Sequence, residues 1–503
     1  MAEATDRADG SGAAPAPGGP RSGLDLRQPQ RVHVVGIGGA GMSAIATVLA
    51  GMGHQVSGSD LKASRGVERL RALGVAVAIG HDAANLPAEV DAVTISTAVP
   101  ATNPEVVAAT ERAVPVLRRA DALAAIAATR EAVAVAGTHG KTTTSSMLAL
   151  VLVEAGLHPS FIIGGDVNEI GTGAVWDDGD LLVVEADESD GTFLELPRRA
   201  AIVTNVEPDH LEFYGGFDAL RAAFVRFLAE TPGPRLVCAD DELAAELGRA
   251  AGAVTYGTSP EADYRMIDLR GGRSGSTFGL VHDGTVLGEV HLPVAGAYNA
   301  RNAAAALVMG LLLGASFEAG RAALARFAGV ARRFEHRGEV AGVTFIDDYA
   351  HLPSEVSSVL AATHQGDWGR VVCVFQPHRY SRTAALWADF ADAFGDADVL
   401  VITDIYASGE EPRPGVSGKL VAQAVLDAHP WRRLAYLPRR ADIVDYLGQE
   451  LRAGDLCLTL GAGDLTSLPE EVQDRLAAGA GAGQAGVGQA GVGQAGVGPQ
   501  AQP

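Results

Sequence analysis

The stretch VAVAGTHGKTTTSSM, Val133–Met147, decides how this chain reads. A β-branched run ends in a glycine turn, and Lys141 and Thr142 then open an apolar segment of helical character. That order makes a phosphate-binding loop: backbone N–H groups face phosphate, a lysine neutralises its outer oxygens, and a hydroxyl meets Mg2+. The usual spacing GxxxxGK[ST] is not kept, because Val135 stands five residues before Gly140 and the turn glycine is Gly137. The parts nevertheless keep their jobs, so Gly137, Thr138, His139, Gly140, Lys141, Thr142 and Thr143 are candidates to bind ATP. Lysine is rare here, with Lys62, Lys141 and Lys419 set against 36 arginines. One of the three falls where a compact point charge suits and a planar guanidinium does not.

Working outward, short apolar runs alternate with Ala/Leu-rich stretches, the pattern of parallel-sheet α/β domains. RVHVVGI, HQVSGS, AVTIST, LLVVEA, AAIVTN, VTFIDD, VVCVFQ, DVLVIT and LCLTLG are candidate strands beside AVAVAGT. Most end in Gly, Asp, Asn, Glu, Ser or Thr, and open α/β sheets bind ligands at strand C-terminal ends. Two such ends extend the ATP candidate: Glu185 of EADESD could reach the nucleotide's metal, with Asp187, Glu188 and Asp190 behind it, and NVEPDH offers Asn205, Asp209 and His210. Ala262–Leu292 alternates with glycine turns and reads as an antiparallel patch.

About a hundred residues upstream, GIGGAG (Gly36–Gly41) follows a strand and opens a helix, with Asp60 nineteen residues beyond Gly41. Glycines for a tight turn, a helix N-terminus for phosphate and an acid for a ribose hydroxyl make a dinucleotide fingerprint. Taken alone it reads as an NAD site; it recognises a pyrophosphate and does not name the base.

The bulk numbers limit the rest. At 503 residues the chain is long enough for about three domains. A net charge of −22 argues against a nucleic-acid partner. Cys238, Cys373 and Cys457 show no paired spacing, which suits a reducing cytoplasm, and no secretory signal opens the chain. The run Asn302–Phe317 is too short for a membrane span and reads as a buried helix. Residues 1–29 and 477–503, the latter with a GQAGV repeat, read as disordered tails; domain boundaries fall near 120 and 329, giving domains at 30–119, 120–328 and 329–476.

The set GIGGAGM, GTHGKTTT, EADESD, NVEPDH, ARRFE, DDYAH, QPHRYSRT and GAGD, in this order and spacing from about Arg31 to about Leu468, resembles the Mur ligases, and most of all the alanine-adding member. The resemblance implies three α/β domains: a Rossmann-like N-terminal domain holding the UDP of a sugar nucleotide, a central P-loop ATPase with a mostly parallel sheet, and a Rossmann-like C-terminal domain that delivers the amino acid. It implies ATP-dependent ligation of L-alanine to UDP-N-acetylmuramic acid through an acyl phosphate, with Mg2+, or Mn2+ in its place. By this resemblance Gly36, Gly38, Gly39, Ala40, Gly41, Ser59, Asp60, Ser96, Thr97 and Asn103 serve the UDP-sugar. Asn299, Asn302, Arg332 and Asp347 join the ATP loop; Thr142, Glu185 and His210 hold metal. Tyr349, His378, Arg379 and Arg382 face the amino acid, and Lys141, His210, His351, Arg379 and Arg382 carry the chemistry. A homo-oligomer is compatible with all of this.

Two positions depart from the family pattern. Leu352 replaces the second histidine of DDYxHHP, and Tyr298 replaces the histidine of GxHNxxN. Leu352 can neither ionise nor donate a side-chain hydrogen bond, which leaves a rival open: a UDP-sugar sensor that binds without turnover. An NAD-dependent dehydrogenase is the other rival, and it gives the GKTTT loop no job.

Overall fold

A computed structural model describes residues 24–96, 98–272, 275–364 and 366–485. Three sheets follow one another along the chain. In the first, five parallel strands lie in the order Ala76–Ile79, Gln55–Asp60, Arg31–Val35, Ala92–Ile95, Val116–Arg118. Strand order reverses around Arg31–Val35, so a crevice opens beyond Val35, where the glycine loop begins. The helix Ala40–Gly51 starts directly on that loop.

The second sheet has ten strands, with Glu131–Ala136 between Ala200–Val203 and Leu181–Glu185. This pairing brings three strand ends together: the P-loop after Ala136, Glu185, and the Thr204–His210 segment. Tyr264–Gly272, Gly275–His282 and Thr285–Leu292 form the expected antiparallel patch at one edge. The helix Lys141–Glu154 lies against the helix Ala297–Leu312, whose Ala303–Met309 are fully buried. The long apolar run is thus a core helix, and no helix among the described residues is long and apolar enough to cross a membrane.

In the third sheet, Val343–Asp348, Asp455–Leu460, Arg370–Phe375, Val399–Ile402 and Leu434–Tyr436 are parallel, with Glu335–Val340 antiparallel at one edge. All ten strands expected from the sequence are present.

The tail readings need correction at both inner ends. Leu26 is 5% exposed and packs into the N-terminal core, so ordered structure begins before residue 30. The helix Leu468–Ala485 continues past residue 476, as its alanine-rich sequence allows. Residues 1–23 and 486–503 lie outside the described residues.

The seams between domains differ in kind. One apolar cluster runs from Val34 and Ile45 of the N-terminal domain into Val184 and Phe224 of the central one. The C-terminal domain has its own clusters, against which, among the described residues, Tyr298 of the central domain packs as a partly buried hydrophobic. Several of its other links to the central domain are polar, as the site shows.

Candidate functional site

The P-loop is built as its sequence requires. Gly137 has φ +126°, and a Cβ there would collide with Thr204 Oγ1; Gly140 has φ +81° and lies against Asn302 Oδ1. Asn205, a candidate ligand, instead shapes the loop: its Oδ1 accepts from His139 N (2.8 Å), and its Nδ2 donates to His139 O (3.2 Å). Lys141 Nζ donates to Gly137 O (2.7 Å) and sits 2.9 Å from both carboxylate oxygens of Glu188, which is 2% exposed. Burial alone would lower the Lys141 pKa; Glu188, Asp187 and Glu185 raise it instead, so the ammonium stays charged. The acidic cluster therefore supplies a counter-ion for the loop's lysine as well as a metal candidate.

Glu185 and Thr142 both face the glycine pair Gly164–Gly165. Glu185 Oε1 accepts from Gly164 N (3.0 Å), and a Cβ on Gly165 would lie 3.4 Å from Thr142 Cγ2. The Glu185 carboxylate and the Thr142 side chain, both against this glycine pair, offer the hard oxygen donors that suit Mg2+. His210 fits it less well: it is an imidazole, its φ is +52°, and its Nε2 lies 3.3 Å from Asp209 Oδ2.

The first glycine loop is held differently. Gly36 N and Ile37 N both donate to Ser59 O (2.8 and 3.0 Å), and Gly38 N donates to Asp60 Oδ2 (2.8 Å). Asp60 is thus engaged by its own loop. Ser59 and Asn103 also turn inward: Ser59 Oγ donates to Glu105 Oε2 (2.6 Å), and Asn103 Oδ1 caps the helix Pro104–Glu111. Burial would raise the Glu105 pKa, yet hydrogen bonds from His33, Ser59 and Asn85 pull it down to about 2. Ser96 Oγ would lie 3.6 Å from a Cβ on Gly36, so it borders the loop. Thr97 lies outside the described residues. Beside the loop, a cavity of about 380 Å3 is lined by Gly38, Ala40, Ser43 and Arg65 on one side and Gly164 and Gly165 on the other. Arg119, which the sequence reading missed, lies 3.4 Å from the Cβ position of Gly41 and 4.0 Å from Asp187.

A second cavity, of about 230 Å3, lies between the central and C-terminal domains. His139, Asn302, Asp240, Tyr256, Arg333 and Asp348 line it. Of the ATP candidates, Arg332 and Asp347 do not line this cavity; their chain neighbours Arg333 and Asp348 do. Side chains alternate along Val343–Asp348: Phe345 and Asp347 face one core, Ile346 and Asp348 the other and the cavity. Asp347 is 1% exposed and accepts from Thr459 Oγ1 and Thr466 Oγ1 (2.5 and 2.7 Å), while Arg332 donates to Gly461 O (2.7 Å). Both lie inside the C-terminal domain. Burial lifts Asp348 to about 6 against the pull of Arg333. Asn299 donates to Ala295 O (2.8 Å), and the Tyr298 hydroxyl is buried beside this cavity with no hydrogen-bond partner.

The amino-acid candidates form one group. His351 stands 5.5 Å from Tyr349 and 5.6 Å from His378, ring centre to ring centre, and His378 Nδ1 lies 3.1 Å from Arg382 Nη1. Arg382 Nη2 reaches Asp209 of the central domain at 3.3 Å. Burial lowers His351 to about 4 and His378 to about 3, so near pH 7 both are neutral and the positive charge belongs to the arginines. Arg379, at φ +67°, has a buried Nε without a partner. Ser354 and Glu355, which the sequence reading did not single out, meet His139 across the domain seam at 3.2 and 3.0 Å. Their signal was the helix-start pattern Leu352–Pro353–Ser354–Glu355, with an acid at the third helical position.

This geometry can be set beside known proteins. Residues 31–131 match the Mur ligase family catalytic domain, 135–310 the Mur ligase middle domain, and 332–463 the Mur ligase glutamate ligase domain. The chain belongs to the Mur ligase family. This Mur ligase is similar to UDP-N-acetylmuramate–L-alanine ligases of Pelotomaculum thermopropionicum (47% identity, covering 89% of this chain and 98% of the relative) and Acidothermus cellulolyticus (48%, 90% and 96%). Its fold matches the crystal structure of UDP-N-acetylmuramate–alanine ligase MurC from Thermotoga maritima with a TM-score of 0.75 at 30% identity, covering 90% of this chain and all of that one. A murein peptide ligase from Psychrobacter arcticus shares the fold at 24% identity and a TM-score of 0.65.

Proposed function

We propose that this Mur ligase joins L-alanine to UDP-N-acetylmuramic acid at the expense of ATP, in peptidoglycan precursor synthesis. The observation that carries the reading is the cavity of about 380 Å3 that runs from the first glycine loop to Gly164, whose N–H holds Glu185 beside the P-loop. A sugar nucleotide anchored by its pyrophosphate on Gly36–Gly41 would extend its lactyl carboxylate toward the phosphate-transfer site. Arg119 beside Gly41 and Arg65 in the cavity wall would supply the positive charge that the loop itself lacks.

In the first step a lactyl carboxylate oxygen attacks the γ-phosphorus of ATP, and the bond to the β,γ-bridging oxygen breaks, giving an acyl phosphate and ADP. Lys141, released from Glu188, neutralises the phosphate oxygens, and the backbone N–H groups of the loop orient them. Mg2+, when bound by Thr142 and Glu185, supplies further charge neutralisation at those oxygens. In the second step the alanine amine, having lost a proton, attacks the acyl carbon, and the tetrahedral intermediate expels phosphate. Arg379 and Arg382 suit the alanine carboxylate, because a guanidinium fork binds two oxygens at once. Neutral His351 and His378 leave that anion attracted to the arginines alone. ATP would place its base in the cavity of about 230 Å3, near Asn302 and Tyr298.

Free, buried cysteines suit work in the cytoplasm, where ATP is at hand. The test is phosphate release with UDP-N-acetylmuramic acid plus L-alanine, glycine, L-serine or a murein tripeptide. Release with L-alanine well above the others supports the reading; preference for the tripeptide would replace it with murein recycling.

A further inference from the structure

Two binding regions of this enzyme lie on different domains, and a single carboxylate touches both. Glu355 sits at the third position of the helix Pro353–Thr363. Its Oε2 accepts from His351 N (2.8 Å) and Leu352 N (3.1 Å), the ordinary work of a capping acid. Its Oε1 is aimed the other way, across the domain seam, 3.0 Å from Nδ1 of His139 in the P-loop, 216 residues away in sequence. The far side of that ring is gripped as well: Nε2 lies 3.2 Å from Ser354 Oγ and 3.3 Å from Glu207 Oε2, and Ser354 Oγ donates to Glu207. The backbone of His139 is fixed in turn by Asn205 and Thr204. The side chains of His139 and Glu355 are only 16% and 11% exposed.

We infer that Glu355 is a positioning residue that couples the P-loop to the alanine-side turn 349–352, so that occupation of the ATP loop sets the placement of His351. The inference rests on the ligase reading above and adds to it a route between two of its substrates. The chain of contacts is continuous: Asn205, the His139 backbone, the His139 ring, Glu355, and the N–H groups of His351 and Leu352. A movement of the loop as it wraps phosphate cannot leave that turn where it was. A cap alone needs one oxygen, whereas this carboxylate spends its second on another domain. The coupling also accounts for Leu352. The turn uses the backbone N–H of residue 352, which any residue except proline offers, while the leucine side chain is 4% exposed and packs inside. A histidine at that position is therefore not needed for this link.

Glu355→Gln separates the two jobs, because an amide oxygen still caps the turn while its NH2 cannot replace the carboxylate that faces His139. The expected result is a tenfold or greater fall in kcat/KM for L-alanine, with KM for UDP-N-acetylmuramic acid within twofold of wild type. Adding His139→Asn to Glu355→Gln should then cost little more than the worse single change. Losses that multiply, or equal losses for both substrates, would overturn the coupling. If the variants do not fold, native protein decides: a non-hydrolysable ATP analogue should slow amide hydrogen exchange at His351 and Leu352 at least threefold, and unchanged exchange refutes the link. Absence of any turnover by wild type with its proposed substrates would instead remove the ligase reading, and the exchange measurement would still judge the coupling.

Discussion

The two glycine loops are alike in plan and opposite in how they treat charge. Both leave a central strand at a point where neighbouring strands diverge, and both open a helix. The first engages its acid internally, with Asp60 Oδ2 on Gly38 N, and carries no cation in the loop itself; Arg119, directly after the strand Val116–Arg118 of the same sheet, lies beside Gly41. The second carries Lys141 and keeps it charged against the buried Glu188. A loop that only anchors a nucleotide needs backbone donors and one remote cation. A loop whose nucleotide reacts needs a charge that can move onto the transferring phosphate, and Glu188 stores that charge until ATP arrives.

The sharpest way to break this contrast is Lys141→Arg, which should lower kcat by about 10³-fold, the scale of losing a key electrostatic group, while calorimetry finds UDP-N-acetylmuramic acid binding within about twofold of wild type. Equal damage to both would mean that the loops are not separate in function. Glu185→Gln comes next, with a fall in kcat of about 10²-fold that added Mg2+ partly restores; chelation of divalent cations should silence wild type altogether. For the anchoring loop the matching change is Arg119→Ala. It should raise KM for the sugar nucleotide about tenfold, or about 1.4 kcal/mol, and leave kcat nearly alone.

The smallest effect concerns pH. Burial would lower the His139 pKa, but Glu355 and Glu207 outweigh it and raise it from 6.5 to about 9. A raised histidine pKa stabilises fully below about pH 6.5, and that contribution is lost as pH rises through about 9. The thermal midpoint of wild type should exceed that of His139→Gln by roughly 3 °C at pH 7, and the two should converge by pH 10. A gap that widens with pH would reverse the assignment.

The strands and glycine loops were legible because period, turn residues and polar strand ends are local signals. Telling a candidate from its chain neighbour was harder. Choosing Asp348 over Asp347 requires knowing which face of Val343–Asp348 meets which helix layer, and both faces of a buried parallel strand are apolar. Ser59 and Asn103 were candidates by family resemblance alone, yet both bond to Glu105, itself fully buried: Ser59 to its carboxylate and Asn103 to its backbone N–H. The bridge from His139 to Glu355 joins residues on different domains, and no spacing in the sequence announces such a contact.

The central claim is that one loop holds the substrate's nucleotide and the other the nucleotide that is consumed. Phosphate release measured with the substrates singly and together tests it directly. The account predicts ADP and phosphate in equal amounts with UDP-N-acetylmuramoyl-L-alanine when ATP, UDP-N-acetylmuramic acid and L-alanine are all present, and little release when either acceptor is left out. Rapid phosphate release without the sugar nucleotide, or binding of all three with no product, would contradict it.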